Sequence, residues 1–291
     1  LLGTADDLWD LDWWAKLGGQ IIAGLILAFF GVLLVTFPVA GLTIGSTRLS
    51  VFATVFVVVF MLNAVNFVDG LDGLAAGIVA IGGSAFFLYT YLLTRASSPE
   101  DYSSLAAAVI IAMVGICLGF LPHNFHPARI FMGDSGAMVL GLVLGSAAII
   151  VTGQVNPLLL TEQSAIANWI PLLLPLAVLL IPLGDLIITP VLRMVHGISP
   201  VAADRTHLHD RLLLQGHSHR GVVLIMYGWT ALACVVSVAL IAIPPTTVLL
   251  AAIVPLILMS VATSVQFPGR KKKHGAHRGV GTPGGAVVID D

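Results

Sequence analysis

Acidic side chains recur in short polar segments that interrupt long apolar runs of the chain. Three such segments read DDLWD, NFVDGLDGLAAG and MGDSG, and their candidate site residues are Asp6, Asp7, Asp10, Asn66, Asp69, Asp72 and Asp134. Two carboxylates about 4 Å apart repel by about 4 kcal/mol at an effective dielectric near 20, so converging segments need a counter-charge. Oxygen ligands that leave room for water and phosphate favour Mg²⁺, or alternatively Mn²⁺. The sequence therefore predicts a divalent metal site if the segments meet.

Each segment also has a purely structural explanation. Asp6, Asp7 and Asp10 could form an acidic turn before a helix that starts at residue 17, where the helix dipole favours negative charge. If that segment is itself helical, Asp6 and Asp10 share a face. The second segment could be a polar turn between two helices. Asp134 or Ser135 could cap a helix that opens at residue 136, and the free N–H groups of that helix end would also suit a phosphate.

A fourth polar segment, DRTHLHDRLL at 204–213, carries Arg205, His207 and His209. Its structural alternative is an amphipathic helix in the membrane interface with a solvated basic face. Zinc is not indicated, because no third Cys or His lies at a customary spacing. Asp185 lies inside an apolar run, which favours either a functional residue or a hydrogen-bond partner between helices.

The composition identifies the elements that must position these residues. The chain has 291 residues, of which 58% are hydrophobic and 10% are charged, against roughly 25% charged in soluble domains. Continuous apolar runs exclude a closed barrel and predict an all-α polytopic integral membrane protein. Eight runs are candidate transmembrane helices: 17–37, 48–66, 74–94, 105–121, 136–152, 169–192, 221–243 and 246–265. They define a transmembrane domain over 1–266, followed by a basic, Gly-rich tail at 267–291 that is expected to be disordered.

The basic residues predict an orientation. If residues 1–16 are cytoplasmic, the cytoplasmic segments carry eleven of the thirteen Lys and Arg residues: Lys16, Arg129, Arg193, Arg205, Arg211, Arg220, Arg270, Lys271, Lys272, Lys273 and Arg278. Only Arg48 and Arg95 fall outside. The four polar segments all lie on the basic side, so we expect phosphoryl-transfer chemistry at the cytoplasmic face, with the bilayer as a partner and no nucleic acid.

Taken in order, the four segments resemble the motifs of the polyprenyl-phosphate N-acetylhexosamine-1-phosphate transferase family, glycosyltransferase family 4, over essentially all of residues 1–265. The resemblance implies that a polyprenyl phosphate (undecaprenyl or decaprenyl) attacks the β-phosphorus of a UDP-amino sugar and releases UMP. It also implies a Mg²⁺ cofactor, a location in the bacterial plasma membrane, and a possible homodimer. A one-step route and a two-step route through a carboxylate nucleophile both stay open.

The resemblance also implies roles for individual residues. Asp134 would ligate Mg²⁺ with Asp7, and Asp6 and Asp7 would handle the lipid phosphate, with Asp6 deprotonating it. The nucleotide and metal region would be shaped by Asn66, Asp69 and Asp72. The sugar or diphosphate would be held by Arg205, His207 and His209.

Two features look like the WecA/TagO branch of the family, which uses UDP-GlcNAc. The first motif ends in Asp10, and the histidine loop reads HLHDR. Asp210 departs from that branch, which usually has His there. The alternative within the family is the phospho-MurNAc-pentapeptide transferase of peptidoglycan synthesis.

The sequence also raises questions about the whole protein. It has no initial Met, and the resemblance implies about eleven transmembrane helices in a full chain, at about 20 residues each. The full-length protein is expected to be active and the fragment poorly active. Two alternative functions from other classes are a secondary transporter and a non-catalytic scaffold. Transporters, however, place their ionisable groups near the midplane and in repeated halves, whereas most acidic residues here are expected at one face.

Overall fold

The computed structural model describes residues 1–35, 46–97, 104–154, 194 and 208–265. The regular secondary structure of these residues is entirely helical. The helices are α1 (Leu2–Trp9), α2 (Trp13–Phe29), α3 (Thr47–Val68), α4 (Leu74–Ser97), α5 (Leu105–Asn124), α6 (Gly133–Gln154), α7 (Leu208–Leu214), α8 (His219–Ala242) and α9 (Pro245–Ser264).

Six of these helices, α3, α4, α5, α6, α8 and α9, are long and apolar enough to cross a membrane. They confirm six of the eight candidate spans and the prediction of an all-α polytopic membrane protein. In the described part of the candidate at 17–37, which ends at residue 35, the helix stops at Phe29, and α2 has 17 residues. At 1.5 Å per residue it rises about 26 Å, slightly less than the ~30 Å hydrocarbon core.

Some predictions fall on parts of the chain that the structure does not describe. These are the candidate span at 169–192 with Asp185, the loop residues Arg205 and His207, and the tail at 267–291. His209 lies in α7.

The long helices alternate in direction, which brings several of their ends together. The starts of α2, α4, α6 and α8 and the ends of α3 and α5 lie at one end of the bundle, here called the site end. This follows because residues from each of these helix ends contact one another or line one cavity. The three acidic segments therefore meet because the topology returns the chain repeatedly to the same end.

Close packing between α3 and α6 depends on small residues. A Cβ added to Gly141 of α6 would lie 2.7 Å from the Met61 carbonyl oxygen and 2.8 Å from the Leu62 Cα of α3. Small residues at helix interfaces let backbones approach in membranes, where apolar burial itself gives little driving force. The close contact fixes the start of α6 beside the end of α3, and with them Asp134 beside Asn66.

Candidate active site

Helix α1 packs against the first turn of α6 and caps it. A Cβ on Gly3 would lie 2.5 Å from the Cα of Ser135, so only glycine permits this approach. Asp7 then accepts hydrogen bonds from the backbone N–H of Asp134 (2.8 Å) and of Ser135 (3.1 Å). Thr4 and Ser135 share a further hydrogen bond of 3.0 Å between their hydroxyl groups.

This arrangement corrects two expectations about MGDSG. Helix α6 begins at Gly133, not at 136, so Asp134 and Ser135 lie in its first turn. Their N–H groups are not free for a phosphate, because Asp7 already occupies both. Burial would raise the pKa of Asp7, but these two backbone donors hold it below its ordinary value overall.

Lys16 joins two of the predicted carboxylates. Its Nζ lies 2.6 Å from Asp6 Oδ2 and 3.5 Å from Asp134 Oδ2. The backbone N–H of Leu11 donates to the other oxygen of Asp6, at 3.0 Å. Burial raises the pKa of Asp6, which is 4% exposed, but hydrogen bonding that involves Asp134 and Lys16 brings it below its ordinary value. Asp6 is therefore ionised at neutral pH and is a weak base.

Asp134 is held from two helices. Asn66, in the last turn of α3, donates from Nδ2 to Asp134 Oδ1 at 2.9 Å, while Lys16 of α2 approaches Oδ2. The expected convergence of Asp6, Asp7, Asn66 and Asp134 is therefore present. The place of Lys16 in this cluster was not predicted, because its position in the sequence indicated only the orientation of the chain. Its spacing of ten residues from Asp6 gives no simple helical relation.

A cavity of about 400 Å³ opens beside Asp134 at the site end. Its polar lining comes from Asp69, Asp72, Asn124, His126, Asp134 and His219. Asp69 is half-buried, and in the described part of the chain no donor reaches its carboxylate. Burial, and then the negative charges of Asp134, Asp7 and Asp72, raise the pKa of Asp69 to about 7.

Asp72 forms the opposite wall of the cavity with two histidines. Its Oδ2 lies 2.8 Å from His126 Nδ1 and accepts the backbone N–H of Ala128 at 3.1 Å. Burial raises the pKa of Asp72, but these partners lower it overall. The His126 ring stacks on that of His219, with centroids 4.7 Å apart. Neither histidine was a candidate site residue from the sequence, although His126 lies shortly before MGDSG.

The turn that carries Asp69 and Asp72 is tied to its surroundings through Gly73. Gly73 has a φ of +81°, which favours glycine. Its N–H donates to Asn124 Oδ1 at 2.9 Å, and its carbonyl accepts the hydroxyl of Tyr227. Asn124 in turn donates to the Ile130 carbonyl at 2.9 Å. These hydrogen bonds therefore fix the position of the turn relative to α5 and α8.

Asp10 does not join the cluster. Helix α1 ends at Trp9, and Asp10 follows it in a left-handed conformation with a φ of 47°. Its backbone N–H bonds to the Asp6 carbonyl at 2.8 Å, and its side chain is exposed. The prediction that Asp6 and Asp10 share a helix face is wrong, because the helix stops one residue too early.

The described carboxylates do not by themselves provide a complete set of ligands for a metal ion. Among the residues that the structure describes, no group of three His, Cys, Asp or Glu side chains is placed to hold one metal ion. Mg²⁺, however, commonly binds through one or two carboxylates together with water and substrate phosphates. Asp69 and Asp134 line one cavity. Within the described ranges of the chain, no donor offsets the repulsion that the neighbouring carboxylates exert on Asp69. These two residues fit a divalent cation that is completed by a phosphate ligand.

The fold and the site together define a multi-pass helical membrane protein with a carboxylate-rich cavity at one end of its bundle. The profile of glycosyl transferase family 4 matches residues 1–152, which is more than half of the chain. The chain belongs to glycosyl transferase family 4.

Individual relatives cover more of the chain. A decaprenyl-phosphate N-acetylglucosaminephosphotransferase of Mycolicibacterium smegmatis is 40% identical over 237 residues, which are 79% of this chain and 58% of the relative. A probable undecaprenyl-phosphate N-acetylglucosaminyl 1-phosphate transferase of Bacillus subtilis is 32% identical over 78% of this chain and 59% of its own length. A phospho-N-acetylmuramoyl-pentapeptide-transferase of Gemmatimonas aurantiaca is 37% identical over 48% of this chain and 42% of its own length. The chain thus spans somewhat more than half the length of the first two.

Proposed function

We propose that this chain is part of an enzyme that transfers GlcNAc 1-phosphate from UDP-GlcNAc to a polyprenyl phosphate. The products are UMP and a polyprenyl diphosphate that carries GlcNAc. The observation that carries the proposal is the meeting of Asp6, Asp69 and Asp134 with Lys16 at one end of a membrane helix bundle. The relatives named for GlcNAc phosphate transfer also cover more of the chain than the one named for the muramoyl-pentapeptide reaction.

In this reaction an oxygen of the lipid phosphate attacks the β-phosphorus of the nucleotide sugar. The bond from that phosphorus to the bridging oxygen breaks, and the bridging oxygen leaves with UMP. Catalysis of such a transfer rests mainly on positioning and on electrostatic stabilisation. A pre-organised set of charged residues at the end of a bundle, accessible from the membrane interface, can supply both.

Asp69 and Asp134 are the residues that would hold Mg²⁺. When bound, Mg²⁺ would neutralise the diphosphate and stabilise the departing UMP. Asp7 was also expected as a ligand, but both of its oxygens accept N–H groups of α6. We therefore assign Asp7 the task of holding the first turn of α6, and with it Asp134.

The remaining residues divide between the two substrates. The Asp6 and Lys16 pair lies beside Asp134 and would place the lipid phosphate, with Lys16 supplying the positive charge. Asp6 was expected to deprotonate that phosphate. Its lowered pKa makes a binding role the better assignment. Asp72 and His126 would form the nucleotide wall of the cavity, while Arg205, His207 and His209 stay predicted ligands of the sugar or diphosphate.

The proposal is tested on the full-length protein in lipid nanodiscs, by following UMP release with Mg²⁺ and decaprenyl or undecaprenyl phosphate. UDP-GlcNAc should support turnover, and UDP-MurNAc-pentapeptide should not. Turnover with the pentapeptide donor alone would move the protein to the other branch. Mg²⁺-independent turnover would remove the metal from the proposal.

Replacing Asp134 tests the centre of the site. Asp134→Asn should lower kcat by about 100-fold or more, the scale of losing one group that stabilises charge in the transition state. Asp12→Asn is the matched control, since Asp12 is an exposed carboxylate whose side chain makes no capping bond. Turnover by Asp134→Asn at the wild-type rate would exclude Asp134 from the reaction. A substrate flux across proteoliposomes that survives Asp134→Asn would instead favour a transporter.

A further inference from the structure

Two amide side chains face each other between α2 and α3, Gln20 buried and Asn63 partly buried. Gln20 donates from Nε2 to Asn63 Oδ1 at 3.3 Å, and Asn63 donates from Nδ2 to Gln20 Oε1 at 2.7 Å. Gln20 is 3% exposed and lies in an otherwise apolar stretch. A buried amide without a partner destabilises its surroundings, whereas a reciprocal pair satisfies both groups. The pair therefore favours one alignment of α2 against α3.

A third hydrogen bond fixes the orientation of Asn63. Its Nδ2 also donates to the Val59 carbonyl within α3, at 2.7 Å. A carbonyl oxygen only accepts, so the NH₂ group of Asn63 must face Val59. This leaves Oδ1 as the acceptor for Gln20. A slip of α2 along α3 would leave the buried Gln20 amide unsatisfied and would leave Asn63 only its bond to the Val59 carbonyl.

The pair lies one helical turn from the acidic cluster. Gln20 is four residues after Lys16, and Asn63 is three residues before Asn66, so each amide shares a helix face with a residue that contacts Asp134. Lys16 approaches Oδ2 of Asp134 at 3.5 Å, and Asn66 donates to Oδ1 at 2.9 Å. Alignment of α2 and α3 thus decides whether Asp134 receives both contacts.

We propose that Gln20 and Asn63 are positioning residues that set Lys16 and Asn66 around Asp134. This rests on the proposed function, because the geometry of Asp134 matters most where it serves a reaction. The pair touches no substrate and acts through the two residues one turn away. A misplacement of about 1 Å can lower the rate of an enzyme about 100-fold.

The test uses the full-length protein in nanodiscs, with UMP release measured over a range of UDP-GlcNAc concentrations. Gln20→Leu keeps the size of the side chain and removes the amide. It should lower kcat by about 10- to 100-fold while changing the KM for UDP-GlcNAc by less than about threefold, because the loss is in transition-state geometry. The double variant Gln20→Asn/Asn63→Gln keeps an amide pair of the same total length and should restore most of the lost kcat.

The matched control is another polar contact between helices, distant from the cluster. Trp229 of α8 donates from Nε1 to Thr263 of α9 at 3.0 Å, and Trp229→Phe removes that bond. Trp229→Phe should lower thermal stability without lowering kcat. If Gln20→Leu behaves like Trp229→Phe, with lower stability and kcat within twofold of wild type, the pair is only structural and the proposal is wrong. A double variant that is as stable as wild type but has no recovered kcat also overturns it.

A second readout separates this proposal from the proposed function. Lys16 is 30% exposed and ion-paired, so its rate of acylation by an amine reagent, followed by peptide mass spectrometry, reports its position. Gln20→Leu should raise that rate severalfold, and Trp229→Phe should not. If the wild type releases no UMP, the proposed function fails and this measurement alone decides. Equal acylation rates in all three proteins would then overturn the positioning role.

Discussion

Among the carboxylates of the site, Asp69 is the one whose negative charge is least offset by nearby donors or positive charges. Asp6 has Lys16, Asp7 has two backbone N–H groups, and Asp72 has His126. Asp69 has three carboxylates acting on it and, in the described residues, no donor. A residue held in this way makes the folded protein less stable when it is ionised, and a cation bound beside it would remove that penalty.

This imbalance predicts a specific pH dependence of stability. The pKa of Asp69 is raised from 3.8 to about 7, so between about pH 4 and pH 7 the folded state binds more protons than the unfolded state. The free energy of unfolding must therefore fall as pH rises through that window. In chelator, Asp69→Asn should be more stable than wild type at pH 8 and the two should be equal near pH 4, as measured by thermal unfolding in nanodiscs.

Addition of Mg²⁺ provides the opposite test at the same residue. If Asp69 helps to hold the ion, saturating Mg²⁺ should stabilise the wild type at pH 8 and leave Asp69→Asn unchanged. A wild type whose stability in chelator is flat from pH 4 to pH 8 would show that Asp69 ionises without penalty.

At the scale of elements, α1 acts as a cap supplied from a separate helix. Asp7 satisfies two of the N–H groups that the first turn of α6 would otherwise leave unpaired. Its negative charge also lies at the positive end of that helix. The same contact holds Asp134 in place, so Asp7 both caps α6 and fixes the position of a site residue.

Removal of the cap should therefore destabilise the contact of α1 with α6. Asp7→Ala should lower the free energy of unfolding by about 1 kcal/mol, the usual effect of losing a capping side chain. The control is Asp12→Ala, because Asp12 precedes α2 but makes no capping hydrogen bond with its side chain. It should change stability by less than about 0.5 kcal/mol. Equal losses for the two variants would contradict the capping role of Asp7.

The sequence predicted two helix boundaries wrongly, the start of α6 and the end of α1. The apolar pattern placed the start of α6 at 136, and the acidic spacing suggested a helix through Asp10. In the structure α6 starts at Gly133 and α1 stops at Trp9. The end of α1 is marked by the left-handed Asp10 and by a local bond from the Leu11 backbone N–H to Asp6. The start of α6 depends on a contact between elements, because the α1 side chain that caps it lies over 120 residues away in the chain. Periodicity along one segment carries no information about such a partner.

At the scale of the whole molecule, the sequence did predict that the three acidic segments meet. Alternating long apolar helices return the chain to one end after every second span, and the motifs at Asp6, Asp69 and Asp134 all fall at that end. Pairings within the site could not be predicted. The contacts of Lys16 with Asp134 and of His126 with Asp72 depend on the packing of different helices, and composition limits that packing only weakly.

The orientation of the bundle is the remaining whole-molecule prediction. In the described residues, Lys16, Arg129, Arg211 and Arg220 lie at the site end, while Arg48 and Arg95 lie at the opposite end. An excess of Lys and Arg in short loops marks the cytoplasmic side. We therefore predict that the site end faces the cytoplasm, where nucleotide sugars are available.

Labelling of one introduced cysteine in spheroplasts can test this orientation, because both native thiols are buried: Cys117 is 1% and Cys234 is 2% exposed. The variants Asp12→Cys and Arg48→Cys place thiols at exposed positions on the site end and the opposite end. A membrane-impermeant maleimide should label Arg48→Cys in intact spheroplasts and Asp12→Cys only after permeabilisation. The unaltered protein, which should stay unlabelled, gives the background. The reverse pattern would place the carboxylates outside the cell, away from nucleotide sugars, and would contradict both the orientation and the proposed donor.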